Sequence, residues 1–132
     1  MTSHREPASA VLVVEDVEET RRGTERLLTA CGYQVNTARD EAEAVLQASL
    51  YPPALILISP GVDATRAVVI ARRIRERAGL GAEVPVVFFC VASLDEGAEE
   101  GIGYNVYMTR PDNFDQLRAL LSRLLQKAHR AR

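Results

Sequence analysis

Apolar residues along this chain gather into short runs, separated by longer stretches in which they recur every three or four positions. The runs are Ala10–Glu15, Tyr33–Ala38, Ala54–Ser59, Pro85–Cys90 and Tyr104–Met108. Three of them are nearly continuous Val, Ile, Leu and Phe. That pattern belongs to strands buried on both faces, as in a parallel sheet packed between helices. Helical patterns fill the gaps. Asp40 followed by Glu43 predicts a capped start for the second helix. Ala67, Ile70, Ala71 and Ile74 fall on one face of a third. Asn113 with Gln116 caps a last helix whose Phe114, Leu117, Leu120, Leu121, Leu124 and Leu125 form a core-facing stripe. A fourth helix is expected around Leu94–Gly101, short and weak because it carries two glycines and a run of acids.

Five β-α units predict an α/β fold with a doubly wound parallel sheet. Right-handed crossovers then bring the C-terminal ends of all strands to one edge, where such folds bind their ligands. No linker or repeat divides the chain. The expected organisation is a loose N-terminal tail over residues 1–9, one domain over 10–128 and a short tail over 129–132.

Composition narrows the function classes. The chain has 132 residues and a net charge of −2, so no basic field draws it to nucleic acid or anionic membrane. The longest apolar runs, Ala54–Ile58 and Val84–Ala92, are too short to span a bilayer. The first residues, MTSHREPASA, carry no apolar signal segment, which predicts a cytoplasmic protein. Cys31 and Cys90 form no CxxC pair and fit a reduced compartment. With only His4 and His129, a structural zinc site is not expected.

Candidate chemistry lies at the strand ends. The run VLVVED closes the first strand on Glu15 and Asp16. Two carboxylates there suit Mg²⁺, which prefers carboxylate and water oxygens. The structural alternative makes Asp16 the N-cap of the first helix, with Glu19 three residues on.

Taken together, these segments resemble the bacterial response-regulator receiver family, of the chemotaxis-Y type, over roughly Ala10 to Gln126. VLVVED resembles its first strand and acidic pair. CGYQVNTARDEAEAV resembles its second strand with the flanking helices, PPALILISPG its third strand and following loop, VPVVFF its fourth strand and GYNVYMTRP its fifth. Each piece is weak, but their order and spacing are specific. The resemblance implies a flavodoxin-like (βα)5 domain of strand order 2-1-3-4-5 acting in two-component phosphorelay signalling, and no enzyme.

The signature positions depart from the family. Its third strand ends in the aspartate that accepts a phosphoryl group from a histidine kinase, and Pro53 with ALILI places Ser59 there. A serine hydroxyl needs an adjacent base to act as a nucleophile, whereas a carboxylate is already anionic. Asp63, four residues on, is the alternative acceptor, at the expense of that register. Glu15, Asp16 and the Gly61 carbonyl are then a weak Mg²⁺ site at most, and no other cofactor is expected. The Thr or Ser that ends the family's fourth strand is Cys90, a much poorer donor, read as a buried structural cysteine in preference to a redox sensor. The family's Lys-Pro is Arg110-Pro111, and Arg110 is expected to pair with Glu15 or Asp16, the alternative being a solvated arginine. Tyr107 matches the aromatic switch position of the family, or is simply a packed strand residue. The reading is an atypical receiver that binds a partner protein, a histidine kinase or a downstream signalling protein, without aspartyl phosphorylation. The expected surface is the face of helix four, strand five and helix five, on a monomer or weak dimer. No output domain is recognisable in these residues.

Overall fold

A computed structural model describes residues 9–59 and 62–130, with side chains through Lys127. The expected tails at 1–9 and 129–132 lie largely outside these residues, and the Gly61 carbonyl lies wholly outside them. The strands are β1 (Ala10–Glu15), β2 (Gln34–Ala38), β3 (Leu55–Ser59), β4 (Val86–Phe88), β5 (Glu99–Gly101) and β6 (Val106–Thr109). The helices are α1 (Glu18–Ala30), α2 (Glu41–Leu50), α3 (Ala64–Ala78) and α4 (Phe114–Arg130).

One sheet runs β2-β1-β3-β4-β6-β5. Its first five members pair in parallel, in the expected order, and β5 is an added antiparallel edge strand on β6. Side chains alternate across the sheet and build two cores. Leu12, Val14, Ile56 and Phe88 meet Ala44, Ala48, Ala67, Ala71 and Ile74 of α2 and α3. Val11, Val13, Leu55, Leu57 and Val87 meet Leu28 of α1 and Leu117, Leu120, Leu121 and Leu124 of α4. Each fully buried Leu, Ile or Val contributes about 1.5–3 kcal/mol relative to exposure, so the strand runs dominate the fold's stability. Small alanines on α2 and α3 let both helices lie close to the sheet, and a two-pronged Arg73–Glu41 ion pair joins them.

The helix caps follow the sequence. Asp40 accepts the Glu43 amide at 2.9 Å, and Asn113 accepts that of Gln116 at 2.9 Å. The helix expected around Leu94–Gly101 does not form. Turns and β5 occupy those residues instead. Gly97 adopts φ 86°, which a side chain would resist, and its N–H donates to the Arg110 carbonyl at 2.6 Å. The Ala98 carbonyl then accepts from the Arg110 N–H and from Thr109 Oγ1, both at 3.0 Å. Gln116 on α4 adds a bond to the Gly97 carbonyl at 2.6 Å. Contacts from β6 and α4, remote in sequence, therefore outweigh the helical preference of this glutamate-rich stretch.

Candidate functional site

The C-terminal ends of β1, β3 and β4 bring Glu15, Asp16, Ser59 and Cys90 to one edge of the sheet. Glu15 and Ser59 are direct partners in the last registered pair of β1 and β3. Both are buried, at 4% and 8% exposure, because they end strands covered on both faces. Asp16 is exposed. It does not cap α1: the N-cap is Val17, whose N–H donates to Glu15 Oε2 at 3.2 Å. Asp16 is thus left available at the mouth of the crevice, which removes the capping alternative.

Burial holds the Glu15 carboxyl above its ordinary range, while the Val17 amide opposes the rise. Asp16 raises it further, and the Ser59 hydroxyl acts in the opposite direction. These effects place four polar side chains in mutual influence, since Cys90 feels Ser59 and Glu15 as well. Arg21 of α1, a residue that the strand-end motifs did not single out, donates through Nη1 to the Glu15 carbonyl at 2.9 Å. No ion pair among the described residues joins that guanidinium to the carboxylates of Glu15 or Asp16.

Cys90 is a correction. It is exposed and not the buried residue expected, and it adopts φ 62°, uncommon for a side-chain-bearing residue. The chain turns there after β4, which leaves the residue exposed overall and its thiol end partly desolvated. Desolvation of that end pushes the thiol pKa up, Ser59 opposing and Glu15 adding. A thiol held up in this way is a poor nucleophile and a poor redox sensor.

Arg110 is a second correction. Its Nη1 donates to the Leu94 carbonyl at 3.1 Å, and no ion pair among the described residues joins it to Glu15 or Asp16. The backbone bonds that tie Arg110 to Gly97 and Ala98 turn its side chain toward the loop before β5. Tyr107 is half-buried on β6, against the α4 core. Its hydroxyl donates to Asn105 Oδ1 at 2.9 Å. Asp63 is the N-cap of α3 and accepts the Arg66 amide at 2.9 Å.

Two adjacent carboxylates and a neutral hydroxyl converge here, and the described residues contain no group of three or more His, Cys, Asp or Glu able to hold a metal ion. A further structural residue escaped the motif reading: Arg75, buried on α3. It donates to the carbonyls of Val84 (3.0 Å from Nε), Tyr104 (2.7 Å) and Asn105 (2.9 Å). Its position four residues after Ala71, on the buried stripe, was the available signal.

Comparison with known proteins gives the family. No family model matches the chain. Response regulator MprA of Mycobacterium tuberculosis is 30% identical over 128 residues, covering 89% of this chain and 50% of the relative. The chain thus spans about half the length of the curated relatives it matches. The receiver domain of the hybrid histidine kinase CckA superposes with a TM-score of 0.60 at 26% identity, over 88% of this chain and 98% of that one. Vibrio cholerae chemotaxis protein CheY4 gives 0.64 at 19% identity, over 89% and 98%. Thermotoga maritima TrrA, solved in complex with Mg²⁺-BeF, gives 0.63 at 20% identity, over 88% and 98%. Fold, strand-end chemistry and these likenesses together make the chain a response-regulator receiver domain of two-component signalling.

Proposed function

We propose that this receiver domain works as a protein-interaction module that does not depend on aspartyl phosphorylation. The observation that carries the reading is the pairing of Ser59 with Glu15 at the end of β3, where the family's acceptor aspartate is expected. Ser59 offers a neutral hydroxyl in place of the anionic carboxylate that accepts a phosphoryl group in the family, and burial pushes the neighbouring Cys90 thiol up, away from the thiolate. Asp63 is engaged in capping α3, which supports leaving it out as the acceptor. The domain spans residues 10–128, has no enzymatic role and is cytoplasmic. None of the described helices is long and apolar enough to cross a membrane. Any Mg²⁺ at Glu15, Asp16 and the Gly61 carbonyl is weakly held.

The partner is a histidine kinase or a downstream signalling protein. It meets the face formed by β5, β6 and α4, where β5 takes the place of the expected helix four. The domain itself is a monomer or weak dimer.

Acetyl phosphate with Mg²⁺ tests the reading. The intact mass is expected to stay unchanged. A hydroxylamine-labile phosphoryl adduct mapped to any aspartate would overturn it.

A further inference from the structure

The β5 edge of the sheet is open. In an antiparallel pair, hydrogen-bonded and non-bonded residue pairs alternate. The bonds from the Arg110 N–H to the Ala98 carbonyl and from the Ile102 N–H to the Val106 carbonyl fix the phase. Glu100 therefore turns its backbone groups toward Met108, and Glu99 and Gly101 turn theirs away from the sheet. Among the described residues no backbone partner outside the β5–β6 ladder meets either residue.

The two faces beside that edge differ. On the α4 side, Gly101 has no side chain and leaves the Tyr107 ring uncovered; a Cβ there would lie 3.5 Å from the ring. Tyr107, Leu120 and Leu124 line a groove at this point, with Arg123 and Lys127 at its side. Glu99, on the same face, is already paired with Arg123 at 2.6 Å. On the opposite face stands Glu100, exposed and without a cationic partner among the described residues. Asp95 and Glu96 precede it, also exposed and unpaired in the same sense.

We infer that β5 is a docking edge for an extended segment of a partner protein in which basic and apolar residues alternate. Side chains of an added strand alternate between the two faces. Its apolar residues, opposite Glu99 and Gly101, enter the groove over Tyr107. Its basic residues, opposite Glu100, meet the unpaired acid. Main-chain bonds to Glu99 and Gly101 supply affinity, and the notch and the charge supply selectivity. A second copy of this chain is disfavoured at the same edge, because antiparallel β5–β5 pairing would bring Glu100 against its own counterpart.

The inference takes from the proposed function only that this face meets a protein. The probe is acetyl-Lys-Val-Lys-Val-Lys-amide, titrated to millimolar concentration into the full chain while backbone amides are followed by NMR. Saturable shifts centred on Glu99 and Gly101 are expected. The acidic counterpart with Glu for Lys, and the version N-methylated at both valines, are each expected to bind about tenfold more weakly. Gly101→Val, which fills the notch at ordinary contact distance, is expected to weaken binding while circular dichroism stays unchanged. Unmoved Glu99 and Gly101 amides would overturn the inference. So would equal shifts from all three peptides, or self-association of the chain through the same amides. If the peptide fails while acetyl phosphate still leaves the mass unchanged, the edge inference falls and the reading of Ser59 stands.

Discussion

Ser59 faces Glu15 across the last rung of the β1–β3 ladder, so the two side chains lie buried beside one another at the crevice. A neutral hydroxyl there spares Glu15 the repulsion that a third carboxylate would bring.

That relationship makes Ser59→Asp informative. The substitution adds an anionic ligand and raises the mutual repulsion of the cluster. In the absence of metal the variant is expected to lose about 1 kcal/mol of stability. Mg²⁺ is expected to restore the loss and to bind the variant about tenfold more tightly than the unmodified protein. Urea denaturation with and without Mg²⁺ reads both. Tight Mg²⁺ binding by the unmodified protein would count decisively against a weak site.

Tyr107 is held by Asn105 and by the groove wall of α4. A two-state equilibrium moves only by the difference in a ligand's affinity for its states. Beryllofluoride with Mg²⁺ is therefore expected to leave the amides around Cys90 and Tyr107 in place. Large coordinated NMR shifts would reveal a working phosphoryl switch.

Glu15 sets a pH dependence. Its native pKa is raised by burial above the ordinary value of 4.5, so the folded state binds the proton more tightly than the unfolded state. Its contribution to stability is fully present below that ordinary value and is lost as pH rises through the native one. Glu15→Gln removes the charge, and its thermal midpoint relative to the parent is expected to be higher at pH 7 than at pH 4. Parallel melting curves at the two pH values check this, and a gap of the opposite sign would mean that the carboxylate is stabilised in the fold.

Arg75 is a buried charge whose hydrogen bonds hold three backbone carbonyls. Arg75→Met retains the apolar stem but leaves the Val84 and Tyr104 carbonyls without the Arg75 donor, and leaves the Asn105 carbonyl with only the Val86 amide. Unmet buried carbonyls cost about 1–3 kcal/mol each, and water reaches some of these, so a loss of about 3 kcal/mol is expected in urea. A loss below about 1 kcal/mol would show that water replaces the guanidinium without penalty.

The β1 and β3 runs were legible because continuous burial leaves an unbroken apolar signature, and the α4 stripe because a one-sided helix leaves a periodic one. Asp40 and Asn113 were legible as caps because a cap acts within three residues. Arg110 was misplaced because its partner depends on how the loop before β5 folds back. Cys90 was misplaced because a left-handed residue after β4 turns it outward, and nothing local specifies that turn.

By itself the sequence determined the alternation of buried strands and helices, the parallel order β2-β1-β3-β4-β6 and the meeting of Glu15, Asp16, Ser59 and Cys90 at one edge. The alternation follows from hydrophobic period and the shared edge from crossover handedness, while the strand order and the places of Ser59 and Cys90 follow from the resemblance to receiver domains. Only the tertiary structure decided that residues 99–101 form an antiparallel edge strand in place of a helix. The local preferences there are weak and contradictory. Hydrogen bonds from Thr109, Arg110 and Gln116, contributed by segments about ten to twenty residues away, supply the free energy that selects the strand.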